Sequence, residues 1–397
     1  MVRRAKLRKP PGGGTPGRHQ PPGGQTMAAR RTTGSRARGT STRNIEARDS
    51  VVTASNDRLS AALKDLVPDE HKGTDKYLDV VQWNIEWFGA EKSVAKDRQR
   101  LDLVIDTLES LNADLFVFQE IAGPSADGRY PGALDVVAEE LTKRGAGHYV
   151  VFYTQAGGEQ RVAMMWDRDW LRAKGDVTDL FPRGTHMMPA ARNERPRDAF
   201  AGRTPLYGHF TARVPSASTD LGTSAEHFEF QVLGVHLKAM GDGHPQRLRS
   251  SEVLVEWYEK DAQAVDGDIL IMGDFNAPPS EESSFKPFWD LEDAGQAGFR
   301  KLNDESDFSY MWLRNQTDKF VSRIDLTVAS LSAQKRAETL AKPIRWKPIE
   351  ETLAQAGNLK DAKVREVLQA IKENLSDHLP CVSRFYFGPA APGMRGR

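Results

Sequence analysis

This chain of 397 residues is poor in several things that would each have decided its class. It has one cysteine, Cys381, so no intrachain disulfide can form and a disulfide-stapled secreted scaffold is excluded. Cys381 sits in the apolar stretch 379–387 and reads as core, not nucleophile. No apolar run approaches the length that spans a membrane. Arg30-Arg31 has no apolar segment behind it, which argues against an export signal. There is no Gly-rich phosphate loop or dinucleotide fingerprint, and no Cys/His spacing of a zinc site. A cytoplasmic monomer is the expectation. Net charge is also missing: 55 Lys/Arg balance 55 Asp/Glu.

That balance hides an asymmetry. Residues 1–50 hold twelve Lys/Arg against Glu46 and Asp49, so the other 347 residues carry the opposite excess. The same fifty residues contain Pro10-Pro11-Gly12-Gly13-Gly14 and Pro21-Pro22-Gly23-Gly24 and almost no large apolar side chains. Such a segment cannot bury enough surface to offset its ordering entropy, and it reads as a disordered basic tail. A linker with a short helix over 51–76, one large domain over 77–388 and a disordered end over 389–397 complete the division.

Within the domain the pattern is many strands and few, separated helices. Strands are expected over Leu78–Ile85, Leu115–Phe118, His148–Tyr153, Arg161–Trp166, Tyr207–Val214, Phe228–His236, Ile269–Met272, Arg323–Ala329 and Cys381–Phe387. Helices are expected over Asp97–Leu111, Ala133–Lys143, Gln246–Lys260 and Asp361–Lys372. Regular strand–helix alternation is lacking. The fold class is therefore α/β or α+β: two packed, mainly antiparallel or mixed sheets with helices outside. Residues 182–205, rich in Arg and Pro, read as a long exposed loop, and 331–375 as a second insertion.

Polar side chains collect where strands stop. Gly273-Asp274-Phe275-Asn276 follows the apolar run Ile269–Met272 and precedes Ala277-Pro278-Pro279. On extended chain, Asp274 and Asn276 share one face. Asn84 and Glu86 close the first strand and Glu120 the second. His236 and Lys238 close another, Asp325 interrupts Ile324–Val328, and Asp377-His378 stands before the last. A capped turn explains any one of these. Their recurrence points to loops that hold functional groups on a rigid scaffold.

The motifs Trp83-Asn84-Ile85-Glu86, Phe118-Gln119-Glu120, Val235-His236-Leu237-Lys238, Gly273-Asp274-Phe275-Asn276, Arg323-Ile324-Asp325 and Ser376-Asp377-His378 resemble, in order, those of the endonuclease/exonuclease/phosphatase superfamily. The resemblance implies a four-layer sandwich with its site at one edge of the paired sheets. It also implies a divalent metal, usually Mg2+ with Mn2+ as a substitute, on Glu120 with Asn84 and Asp377 nearby. Magnesium needs only one or two carboxylates because it keeps several waters. By the same resemblance Asp325 orients His378, His236 donates to a phosphate oxygen and Asn276 positions water or phosphate. His378 and Asp274 both fit the role of base. Lys238, Arg161 and Arg203 are expected to bind substrate. Many nucleases of the family place a Glu where Glu159 or Gln160 stands, and the residues do not choose between these two. The expected reaction is hydrolysis of phosphodiester bonds in DNA, with the basic tail and the Arg-rich loop (Arg183, Arg192, Arg195, Arg197, Arg203) as candidate contacts. A phosphatase or phosphodiesterase of small or lipid phosphates is the alternative enzyme, and a non-catalytic binding protein on the same fold the alternative of another class. If the tail anchors DNA, deleting residues 1–50 weakens binding and flattens its salt dependence in a filter-binding titration. Unchanged binding would return the tail to a solvated extension.

Overall fold

The computed structural model describes residues 77–387 apart from 190–195, 213–227, 294–297, 312–320 and 339, together with 67 and 72–74. The proposed tails, most of the linker over 51–76, and Arg192 and Arg195 of the Arg-rich loop lie outside the described residues.

Two sheets form the centre. The first runs in the order β12–β13–β1–β2–β4–β3. Its strands are β1 (Tyr77–Phe88), β2 (Leu115–Ile121), β3 (Tyr149–Tyr153), β4 (Arg161–Asp167), β12 (Lys342–Pro343) and β13 (Cys381–Tyr386). The second runs β10–β11–β9–β8–β7–β5, with β6 also pairing β7. Its strands are β5 (Leu171–Ala173), β6 (Thr178–Asp179), β7 (Leu206–Ala212), β8 (Glu229–His236), β9 (Ile269–Asp274), β10 (Phe299–Lys301) and β11 (Asp325–Ser330). Each sheet is mixed. β1 pairs β2 in parallel and β8 pairs β9 in parallel; the other pairings are antiparallel.

Side-chain alternation sorts the residues into layers. Leu78, Val80, Leu115, Val117, Val162 and Met164 of the first sheet meet Phe210, Phe230, Val232, Leu270 and Met272 of the second in one buried cluster. Opposite-parity residues of the first sheet, such as Val81, Trp83, Phe116 and Phe118, pack under helices α1 (Val94–Leu111), α2 (Ala133–Lys143), α5 (Lys347–Ala356) and α6 (Ala362–Asn374). Those of the second sheet, such as Leu233, Val235, Ile271 and Val328, pack under α3 (His244–Trp257) and α4 (Lys286–Asp293). The result is the four-layer sandwich that the family resemblance implied, built on the two packed, mixed sheets expected from the strand pattern. Leu-, Val- and Ile-rich runs are apolar on both faces because every central strand is covered on both sides.

Local signals behave as expected. Asn112 ends α1 in a left-handed conformation (φ 41°), a role its short side chain tolerates. Asp361 caps α6 by accepting the Lys363 N–H at 2.8 Å. Gly157 and Gly158 take positive φ in the β3–β4 turn. The sequence pattern missed α4 and α5, which lie in the stretches read as mixed or as insertion. Cys381 is free and fully buried, as a core residue.

Gly234 marks how closely the sheets approach. A Cβ there would lie 2.8 Å from methyls of both Val117 and Val162 on the facing sheet. Gly234→Val should therefore cost about 1–3 kcal/mol through overpacking. A urea unfolding midpoint equal to wild type would contradict this close apposition.

Candidate active site

The inner-face rows of the strands run out of apolar residues at one edge, and polar ones take their place. Along β1 the row Leu78, Val80, Gln82 ends at Asn84. Along β8 the row Phe230, Val232, Gly234 ends at His236; along β9, Leu270 and Met272 end at Asp274. On β11, Asp325 is the inner-face residue paired directly with Asp274. Asn84, His236, Asp274 and Asp325 are all at most 2 % exposed.

Glu120 reaches the same place by a different route. By strand parity it belongs with Phe116 and Phe118 on the helix-covered face. A register break after Phe118 and a left-handed backbone at Glu120 (φ 60°) turn it inward. Asn276 is similar. Its φ of 53° places it beside Asp274 through a turn, not through the strand alternation expected from the sequence. Six of the seven non-glycine residues with positive φ among those described line one cleft: Glu86, Trp87, Glu120, Ala201, Met240 and Asn276. Strain of this kind, about 1–3 kcal/mol per residue, persists only where surrounding structure holds it, and it clusters at functional sites.

The hydrogen bonds define the geometry. Asn84 Nδ2 donates to Asp274 Oδ2 at 3.1 Å and to Glu120 Oε1 at 3.4 Å. Asp274 Oδ1 accepts the Asn276 N–H at 2.8 Å, and Asn276 Nδ2 donates to the Leu237 carbonyl at 3.1 Å. His378 Nδ1 donates to Asp325 Oδ2 at 2.8 Å, leaving Nε2 4.0 Å from Asp274 Oδ2 and 3.8 Å from Asp377 Oδ1. Ser376 binds this loop to the first sheet: its hydroxyl donates to the Asn84 carbonyl at 2.7 Å and accepts the His378 N–H at 3.1 Å. Trp83 Nε1 donates to the His378 carbonyl at 3.0 Å.

The hydrogen-bond partner of His236, which the sequence left open, is Arg203. The Arg203 guanidinium donates to its ring at 2.7 Å and to the Leu237 carbonyl at 2.8 Å. Guanidinium is always a donor, so the ring nitrogen facing it must accept. Burial, with the nearby charges of Arg203 and His378, holds His236 well below its usual pKa and therefore neutral. The uncertainty between Glu159 and Gln160 is also resolved in space. Gln160 lines the cleft beside Glu120, whereas Glu159 Oε1 accepts the Glu91 N–H at 3.0 Å.

The charges shift one another. Burial pushes the Asp274 carboxyl up to about 7, with Asp325 and Glu120 adding to it and His378 opposing. Burial also raises Glu120, aided by Asp377. For His378, burial alone would lower the pKa, but Asp325, then Asp377 and Asp274, hold it up to about 10.

Of the expected site residues, Glu120, His236, Lys238, Asp274, Asn276, Asp377, His378 and Arg203 line a single cleft of about 1550 Å³, with Asn84 and Asp325 bonded directly behind them. Arg161 does not join them. Its Nε donates to the Gly158 carbonyl at 3.1 Å and its side chain lies over Gly123, because β4 begins at this residue and its own turn captures it. Arg323 is 2 % exposed and is no surface pair: it bridges Glu282, Glu305 at 3.0 Å and the Asp304 carbonyl at 2.7 Å. Two contributors carried no signal in the sequence. Ser309 Oγ accepts the Asp325 N–H at 3.2 Å, and the Tyr310 ring lies 4.7 Å from that of His378.

Oxygen donors predominate, which suits a hard divalent cation. Glu120 Oε2 and Asp325 Oδ1 are buried with no hydrogen-bond partner. An orphaned buried carboxylate oxygen calls for a cation or a proton. Asp274, Asp325 and His378 bring ligand atoms within 4.8 Å of one another. Because Asp325 and His378 already bond each other, Glu120 is the freer ligand.

The model of the Endonuclease/Exonuclease/phosphatase family matches residues 81–378, and the chain belongs to that family. It is a phosphoester hydrolase, of a family that generally depends on a divalent metal. Among solved structures it is similar to an endonuclease/exonuclease/phosphatase from Bacteroides vulgatus. Identity is 12 %, 79 % of this chain and 99 % of that chain are covered, and the TM-score is 0.50. A family protein from Bacteroides thetaiotaomicron is 14 % identical, with 79 % and 98 % covered and a TM-score of 0.47. Truncated Caenorhabditis elegans TDP2 is 13 % identical, with 80 % and 100 % covered and a TM-score of 0.45. At such identities the first shows the fold alone, and the other two carry no argument. No curated protein matches.

A pKa raised in the folded state stabilises a protein below the unfolded value and ceases to do so as pH rises through the folded value. His378 thus stabilises the metal-free protein fully below about 6.5, with the contribution lost toward about 10. The stability gap between wild type and His378→Gln in EDTA should shrink across that window. A gap that widens with pH, read from urea midpoints, would contradict a protonated His378.

Proposed function

We propose that this chain is a metal-dependent nuclease that hydrolyses phosphodiester bonds in DNA through attack by water. The observation that carries the polymeric substrate is the cleft itself. Its volume of about 1550 Å³ exceeds the roughly 300–1,000 Å³ of ordinary small-molecule pockets. Its rim presents Lys238 and Arg183, whose side chains have no ion-pair or hydrogen-bond partner among the described residues. Trp87, half-buried, lies on the same cleft wall, with the Lys92 ammonium over one face of its ring at 2.8 Å from the centroid.

In this reading Glu120, with Asn84 and Asp377, would hold the metal, Mg2+ or Mn2+. When bound, the metal polarises the phosphoryl oxygen and stabilises the leaving oxyanion. Asp274 is the base. Its carboxyl is pushed up to about 7, where it can take a proton from water near neutral pH. Asn84 Nδ2 and the Asn276 N–H fix the direction of its two oxygens. His378, held protonated by Asp325, is the donor: its free Nε2 faces the cleft beside Asp274 and stabilises charge on a phosphoryl oxygen. Asp325 is thus a positioning residue. The Arg203–His236 pair supplies a second cationic group, with neutral His236 aligning the guanidinium.

The test is nicking of supercoiled plasmid with Mg2+ or Mn2+, beside hydrolysis of bis-p-nitrophenyl phosphate. Asp274→Ala and His378→Ala should each lower kcat by about 10²–10⁴, the usual range for loss of an acid–base group. Undiminished cleavage by either variant would overturn the assignment. Phosphate release from inositol phosphates with no cleavage of DNA would favour a phosphatase of small substrates.

A further inference from the structure

A second groove of about 490 Å³ adjoins the catalytic cleft and shares a wall with it. Arg183, Ala201, Gly202 and Lys238 line both spaces; Arg197 lines only the second. The groove is built largely by the 182–205 insertion, whose ribbon pairs Met187 with Asp198 and Met188 with Arg197.

Its cations are distinctive because they are unused. Elsewhere around the catalytic cleft the basic side chains are committed: Arg100 to Asp97, Arg203 to His236, Arg247 to Glu281, Arg323 to Glu282 and Glu305. The side chains of Arg183, Arg197 and Lys238 have no ion-pair or hydrogen-bond partner among the described residues. Arg183 and Arg197 are exposed and Lys238 is half-buried. Two carboxylates, Asp198 and Asp242, share the groove. Three cations against these two carboxylates leave an excess of one positive charge in the groove.

The groove is also held in place. Gln246 on α3 donates to the Asp198 carbonyl at 2.8 Å, and Ser250 donates to the Ala199 carbonyl at 2.8 Å. The Ala199 N–H returns to the His186 carbonyl at 3.0 Å. Arg197 therefore sits on backbone anchored to a core helix, which lowers the ordering cost of binding through it. Free cations on a fixed surface, continuous with a phosphodiester-cleaving cleft, match the spaced negative charges of a polynucleotide.

We infer that this groove is a subsite for a flanking phosphate of a polynucleotide strand, held by Arg183, Arg197 and Lys238, and that it makes the enzyme prefer chains longer than a dinucleotide. The inference rests on the nuclease reading above and adds the direction in which the substrate leaves the cleft. Arg197 is the discriminating residue because it does not line the catalytic cleft.

The experiment compares wild type, Arg197→Glu and Arg197→Lys with Mn2+ on three substrates: bis-p-nitrophenyl phosphate, a dinucleotide, and a single-stranded octanucleotide. Wild-type kcat/KM should rise at least tenfold from dinucleotide to octanucleotide. Arg197→Glu should abolish that rise through KM, while leaving the other two substrates within twofold of wild type. It should also reduce the slope of log affinity against log salt by about one for the octanucleotide, as expected for one lost phosphate contact. Arg197→Lys, which keeps the charge, should retain most of the length preference. Cleavage of the octanucleotide by Arg197→Glu at the wild-type KM, or an equal loss on all three substrates, would overturn the subsite. Hydrolysis of bis-p-nitrophenyl phosphate by wild type with no cleavage of either oligonucleotide would instead overturn the nuclease reading.

Discussion

The site depends on how the two sheets meet. Their inner faces are packed so closely that Gly234 leaves no room for a Cβ between Val117 and Val162. A core of this density has essentially no slack. The polar residues that end its rows are therefore placed with the precision of the core, not of a loop. Asn84, His236, Asp274 and Asp325 are at most 2 % exposed, yet all lie where the apolar filling stops. Burial then sets their chemistry: it raises Asp274 and Glu120, and it keeps His236 neutral.

The same apposition explains why the pairs across the sheets are specific. Asn84 on β1 reaches Asp274 on β9, and Ser376, ahead of β13, binds the Asn84 carbonyl. The His378–Asp325 pair also crosses from one sheet to the other. Removing one partner of such a buried ion pair leaves a charge without compensation, at a cost of about 3–5 kcal/mol. Stability and chemistry are thus held by the same contacts. The backbone strain at Glu86, Trp87, Glu120 and Asn276 is concentrated around them.

The outer parts of the cleft follow a different rule. The 182–205 segment is attached to α3 through main-chain acceptors, by Gln246 and Ser250, and leaves the side chains of Arg183 and Arg197 free at the surface. Helices α5 and α6 of the 331–375 segment pack into the core under the first sheet, and the turn between them contributes Leu359 to the cleft wall. The residues proposed to bind a flanking phosphate sit largely on the 182–205 addition; those proposed for bond cleavage sit at strand ends or in the turns beside them.

Strand and helix positions were legible wherever apolar periodicity was strong, as in α2, whose bounds match residue for residue, and in β9. The strand-end clusters were legible too, because a carboxylate or imidazole at the end of a buried run is chemically out of place. Periodicity alone did not reveal α4 and α5, although α5 opens with Pro348 in its first turn and closes on a left-handed Gly357 (φ 70°), the usual start and stop signals of a helix. Nor did it separate Gln160 from Glu159, since adjacent residues differ only in which face they take. Only the tertiary structure decided that a left-handed turn brings Glu120 across from the wrong face, that Arg203 donates to His236, and that Arg161 is spent on its own turn. The amino-acid order determines what each strand can bury and where it must stop. Which stopped ends meet depends on register, twist and the gap between sheets, and those are properties of the assembled fold.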